Sequence, residues 1–125
     1  PPGTNGGITM WGTFWSGMGG FMIGLGAIFL DKVCSGFTDV PCYQILLYST
    51  VCGLLGSFLD SLLGATLQAT YFDDEKKLVY CEKENAPSHA KCIVGMECLS
   101  NAQVNFFSVF ATTYIGGFYL APLIF

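Results

Sequence analysis

Asp60 is the residue with the most chemistry to explain. It is the single charged side chain between residues 43 and 72, and a carboxylate near the centre of a bilayer costs about 3 kcal/mol on insertion scales. Such a group has to be protonated, paired, solvated or bound to a cation, which makes Asp60 a candidate catalytic carboxylate and a candidate metal ligand. It does not stand alone. Gly53, Ser57, Asp60, Gly64 and Gln68 follow one another at steps of 4, 3, 4 and 4, and residues so spaced share one face of a helix. Asn101, Asn105, Ser108, Thr112 and Gly116 repeat the same steps. Two stripes of this kind can face each other, small residues allowing close approach and amides bonding across at about 0.6–2 kcal/mol each. A hydrogen bond to the facing Asn105 is then the structural alternative to a catalytic Asp60.

Phosphate is a ligand that the remaining polar residues would suit. Pro2-Gly3-Thr4-Asn5-Gly6-Gly7 favours turns and leaves backbone amides exposed just before a helix begins, and helix N-termini offer unpaired N–H groups to anions. Ser100 and Asn101 are good N-cap residues for another helix. Two helix starts beside a loop that carries Lys76, Lys77, Lys83 and Lys91 would receive a phosphate group. Hydrolase chemistry is not indicated, since His89 is the lone histidine and sits in a polar stretch. There is no P-loop and no G-x-G-x-x-G after a strand. The six cysteines include no C-x-x-C pair, and Cys81, Cys92 and Cys98 with His89 match no zinc module. A Cys34–Cys42 bridge is open if residues 31–42 face an oxidising lumen. Every basic residue is a lysine, so no nucleic-acid footprint exists.

The elements that must position these groups follow from charge placement. The chain is 52% apolar and 11% charged, well below the ~25% charge of a soluble domain. Most charges (Asp73, Asp74, Glu75, Lys76, Lys77, Glu82, Lys83, Glu84, Lys91, Glu97) fall within residues 73–97. Residues 8–30, 43–68 and 102–125 are apolar and each exceeds the ~20 helical residues that cross a bilayer. The expected fold is therefore all-α, a polytopic integral membrane protein with three transmembrane helices and one polar loop at 73–97, forming a single membrane domain in the lipid bilayer. The middle segment is longer than an untilted span needs. Gly20 and Gly24 form a GxxxG pair that reads as helix packing. The first segment lacks a basic leader and is too long for a cleaved signal peptide. Lys76, Lys77, Lys83 and Lys91 against Lys32 place the 73–97 loop in the cytosol, or in the stroma of a plastid; an endomembrane and a plastid membrane both remain open.

Three strings carry a family resemblance: Pro2-Gly3-Thr4-Asn5-Gly6-Gly7-Ile8-Thr9, then Gly56-Ser57-Phe58-Leu59-Asp60-Ser61-Leu62-Leu63-Gly64-Ala65-Thr66-Leu67-Gln68, then Asn101-Ala102-Gln103-Val104-Asn105-Phe106-Phe107-Ser108. Together they resemble the transmembrane protein 19 family, also called domain of unknown function 92, and the second string is the most specific. The resemblance implies a relative of plant phytyl-phosphate kinases, transferases that add a second phosphate to an isoprenoid monophosphate. It also implies that this chain corresponds to the C-terminal half, with the N-terminal half of the same protein as its partner. On that footing the substrate is a prenyl-phosphate lipid, the donor a nucleoside triphosphate, and Mg²⁺ the cation that neutralises phosphate charge. Asp60 would be the catalytic residue and cation ligand. Thr4, Asn5, Gly6, Gly7, Ser57, Ser61, Gln68, Asn101 and Asn105 would bind substrate or phosphate. The competing class is a non-enzymatic membrane subunit or transporter-like protein in which Asp60 serves packing or proton passage.

Overall fold

The computed structural model of the chain describes residues 2–35 and 39–125. Among these, three helices are long and apolar enough to cross a membrane, Met10–Cys34, Cys42–Leu67 and Asn101–Ile124. The polytopic helical membrane fold expected from the sequence is the one observed. The first span begins with α1 (Met10–Leu30), which opens where Thr9 caps it, its hydroxyl accepting the Gly12 N–H at 3.0 Å. A π-helical turn, Asp31–Ser35, extends it. The second span is α2 (Cys42–Leu67), an unbroken 26-residue helix. The third starts as α3 (Asn101–Ile115), passes through a π turn at Gly116–Leu120 and ends in a short α turn, Ala121–Ile124. Pro122 has no N–H and its ring collides with the carbonyl four residues back, so a widened turn ahead of it is the expected accommodation. At the start of α3, Ser100 and Gln103 cap each other: the Ser100 N–H donates to Gln103 Oε1 at 2.9 Å and the Gln103 N–H to Ser100 Oγ at 3.4 Å.

The polar stretch expected as a loop is partly a sheet. Strands β1 (Thr70–Asp73), β2 (Leu78–Tyr80) and β3 (Lys91–Val94) form a three-stranded antiparallel sheet with β1 at its centre. The residues responsible are the β-formers Thr70, Tyr71, Phe72, Val79, Tyr80, Ile93 and Val94, whose signal is diluted by the charges between them. The β1–β2 hairpin closes with Lys77 in the left-handed region (φ 56°). Asp73 Oδ1 accepts the N–H groups of Glu75 and Lys76 at 2.9 and 3.2 Å, an Asx-type turn.

The chain divides into two compact units, one gathering Pro1–Ile8 with Phe58–Val109, the other Thr9–Ser57 with Phe110–Phe125. In the second unit glycines set the approach of α1 to α2. A Cβ on Gly20 would enter the Ser49 carbonyl and one on Gly53 would stand 2.8 Å from the Ser16 carbonyl. Gly116 likewise meets the Tyr48 hydroxyl and Cys52 sulfur at 3.0 and 3.2 Å from its would-be Cβ. With no hydrophobic effect between helices in lipid, backbone proximity of this kind is what holds them.

The first unit joins the last turns of α2 to the sheet. The final carbonyls of α2 lack helical partners; Thr66 accepts from the Met96 N–H at 3.2 Å, and Leu67 from the N–H groups of Cys98 and Leu99 at 3.2 and 3.0 Å. Gly95 makes this clamp possible, since its φ is +78° and a Cβ there would run into the Gln68 carbonyl.

Candidate functional site

The glycine-rich turn and the motif face of α2 are brought together. Gly6 has φ +75°, and a Cβ on it would collide with the Ser61 carbonyl and with Ala65. A Cβ on Gly64 would stand 3.2 Å from the Gly6 nitrogen and 3.0 Å from Gln68 Oε1. Glycine is thus required on both sides of the contact. Asn5 fixes the turn: its N–H donates to Thr70 Oγ1 at 3.1 Å, and its amide Nδ2 donates to the carbonyls of Ala69 at 3.0 Å and Cys81 at 3.3 Å. Thr4 and Gly7 are joined by a backbone hydrogen bond of 3.2 Å from the Gly7 N–H. The role of Asn5 here is to tie the turn to the sheet, and its donors are engaged.

Asp60 sits deeper. It lies seven residues before Leu67, the last residue of α2, about 10 Å along the axis at 1.5 Å per residue. It is half-buried, and Ser108 Oγ donates to its Oδ1 at 3.3 Å. Ser108 is itself buried at 4% exposure and also donates to the Asn105 carbonyl at 3.0 Å. The structural partner of Asp60 is therefore Ser108 and not the Asn105 side chain, which is exposed. The stripe of α3 that faces α2 in this unit runs through Val104 and Ser108, both buried, so the face is rotated by about one residue from the one expected. Gly64 on α2 and Gln68 just beyond its end are buried while Phe58, Leu62 and Thr66 are exposed, as a protein-facing polar stripe requires. Ser57 and Ser61 are half-buried.

At the water-facing end of α2 is a cleft of about 330 Å³ whose wall includes Gln68, Tyr71, Lys83, Glu97, Ser100 and Asn101. Gln68 is 7% exposed and Asn101 is exposed at the first turn of α3. Lys83 Nζ donates to Glu97 Oε2 at 2.9 Å and the Tyr71 hydroxyl to the same oxygen at 3.2 Å. Lys83 holds the Glu97 carboxyl below its usual range, and Glu97 in turn raises the Lys83 ammonium. Burial, then the bond to Glu97, pushes the Tyr71 phenol up. Glu82 and Glu84 also line the cleft, so its wall is net negative and would repel a bare phosphate; a phosphate accompanied by a cation suits it better. Tyr71 and Glu97 were not legible as site residues, and Lys83 only as one of four loop lysines, because Lys83 and Glu97 are 14 positions apart and meet only through the sheet.

Among the described residues no group of three or more His, Cys, Asp or Glu side chains is placed to hold a metal ion. Asp60 would supply one carboxylate, which fits Mg²⁺ only in the mode where substrate phosphates and waters complete the octahedron. All six cysteines are free thiols, including Cys34 and Cys42.

Three apolar spans, a sheet clamped to the end of one of them, and polar residues carried from the sheet into the bilayer define an integral membrane protein. The chain belongs to the DUF92 family of integral membrane proteins, whose model matches residues 1–113. It is similar to Protein PGR of Arabidopsis thaliana, 36% identical over 116 residues that make up 90% of this chain and 39% of the relative. The chain thus spans well under half the length of that relative. No solved structure matches it.

Proposed function

We propose that the whole protein is an isoprenoid-phosphate kinase, converting a prenyl monophosphate to its diphosphate with a nucleoside triphosphate and Mg²⁺. The observation that carries this reading is the line of polar groups from Asp60 and Ser108 inside the span, past Ser61 and Gly64 under the Asn5–Gly7 turn, to Gln68 and Asn101 in the cleft. A lipid tail lies among apolar helices while its phosphate meets this line. The family resemblance in the three motif strings supports the same reading.

In the reaction, an oxygen of the lipid phosphate attacks the γ-phosphorus of the donor, and the bond from that phosphorus to the β–γ bridging oxygen breaks, leaving a nucleoside diphosphate. A phosphate monoester with a second pKa near 6 is largely a dianion at pH 7, so its attacking oxygen needs no strong base. Asp60 is then better used as a cation ligand or an orienting group. Mg²⁺, when bound, would neutralise charge on the phosphates. Asn101 and Gln68 would donate amide N–H to phosphate oxygens, and the first N–H groups of α3, the capped Gln103 N–H apart, would add the donors of a helix start.

The test supplies full-length protein in lipid with phytyl and related prenyl monophosphates, a panel of nucleoside triphosphates and Mg²⁺, and follows the diphosphate by mass spectrometry. Diphosphate is expected. Absence of product across the panel, with a plant relative active in parallel, overturns the reading. The Ser108–Asp60 hydrogen bond favours a second reading, in which Asp60 joins α2 to α3 in a non-enzymatic membrane subunit. That reading expects Asp60→Asn to change stability and leave no specific catalytic defect.

A further inference from the structure

The sheet is not uniformly polar. One charged cluster lies at the hairpin end, where Lys91 Nζ meets Asp74 Oδ2 at 2.9 Å, and a second, the Lys83–Glu97 pair, stands beside the cleft. The opposite end of β3 carries Ile93, Val94 and, just beyond it, Met96, which are 39, 40 and 56% exposed. Chain connections fix the depth of that end. The Met96 N–H donates to the Thr66 carbonyl, so Met96 is level with the last turn of α2. Gly95 is pressed on the Gln68 carbonyl, and α3 enters its span at Asn101. On α2, the exposed residues Phe58, Leu62 and Thr66 form one line at steps of four. Met96 is bonded to the top of that line.

We propose that Ile93, Val94 and Met96 form a lipid-binding surface, seated at the boundary of headgroups and acyl chains and continuing the lipid-facing side of α2. β3 is an edge strand, and apolar residues on an open edge in water invite pairing with another chain; burial in the interface removes that hazard. The charged hairpin end then points to water, while Lys83 and Glu97 stay hydrated at headgroup level beside the apolar residues. The cleft beside Gln68 consequently opens at headgroup level. This inference does not depend on the kinase reading.

The test uses the whole protein in phosphatidylcholine vesicles and compares two labels read by peptide mass spectrometry. A photoactivated carbene reagent dissolved in the acyl phase should label residues 93–96 as it labels Phe58 and Leu62. Hydroxyl radicals generated in the water phase should oxidise Met96 at least about fivefold more slowly than after solubilisation and unfolding. Met96→Asp should reduce carbene labelling of residues 93–94 several-fold while leaving Phe58 and Leu62 labelled, which shows that the spans are still inserted. Rapid oxidation of Met96 in vesicles overturns the proposal. So does protection from both labels, which would mean that another protein strand covers β3.

Discussion

Replacing Gly6 by alanine tests whether the glycine-rich turn is docked on the motif face of α2. Two costs arise. A left-handed φ of +75° is disfavoured by about 1–2 kcal/mol for an L-residue. The new methyl also meets the Ser61 carbonyl and Ala65, which belong to helix backbone and cannot give way. The turn must lift, and the bonds from Asn5 to Thr70 and Ala69 are lost with it at about 1 kcal/mol each. The docked state should therefore weaken by about 3–4 kcal/mol, or two to three orders of magnitude in the docking equilibrium. Gly3→Ala is the matched control. Its φ is +91°, yet the nearest atom to its added Cβ is Val79 Cβ at 4.0 Å, so it should show the conformational cost alone, about 1–2 kcal/mol. Hydrogen exchange of the Asn5 amide, which donates to Thr70 Oγ1 at 3.1 Å, reads the docking directly. If Gly6→Ala accelerates that exchange no more than Gly3→Ala does, the close approach of the turn to α2 is wrong.

Asp60→Asn in the full-length protein should lower diphosphate formation at least ~10²-fold, about 2.7 kcal/mol of transition-state stabilisation, with detergent stability nearly unchanged; a variant that stays active removes Asp60 from the site. Gly53→Leu should destabilise the α1–α2 contact by about 1–3 kcal/mol through overpacking, whereas Gly19→Ala, whose added Cβ meets nothing within 4 Å, should be neutral or slightly stabilising in the same thermal assay. The hairpin should be acid-sensitive. Burial raises the Asp73 carboxyl, but hydrogen bonds from Lys76, Glu75 and His89 outweigh it and hold it below its ordinary 3.8; Lys91 lowers Asp74 likewise. Both groups are depressed in the folded state, so their contribution is present above about pH 4 and disappears as pH falls through the folded values. Amide exchange of residues 70–80 followed from pH 6 to pH 3 checks it, and Asp73→Asn should flatten the response. Because α2 alone separates Cys42 from Cys81, an impermeant maleimide should label these two from opposite faces of intact vesicles, and labelling from one face refutes the topology.

Spans were legible because lipid imposes a simple demand: long apolar runs free of charge, with the polar exceptions gathered on one face. Gly20 and Gly24 announced the α1 packing for the same reason. The sheet was not legible, since Tyr71, Val79 and Ile93 lie among charges that read as solvated loop, and the β1–β3 pairing joins residues about twenty positions apart. The partner of Asp60 was missed by three positions, about one helical turn. Steps of 4, 3, 4 and 4 allow either Asn105 or Ser108 to face α2, and only the packing of Val104 decides which. The cleft was half visible through Gln68 and Asn101; Lys83, Glu97 and Tyr71 joined it through the sheet that the sequence concealed.

The clamp on the end of α2 also has a bearing on the order of synthesis. Thr66 and Leu67 find their hydrogen-bond donors in Met96, Cys98 and Leu99, some thirty residues later in the chain. At ~5–20 residues per second the ribosome takes a few seconds to cover that stretch. During that interval the last carbonyls of α2 lack these donors, and the wall of the cleft does not yet exist.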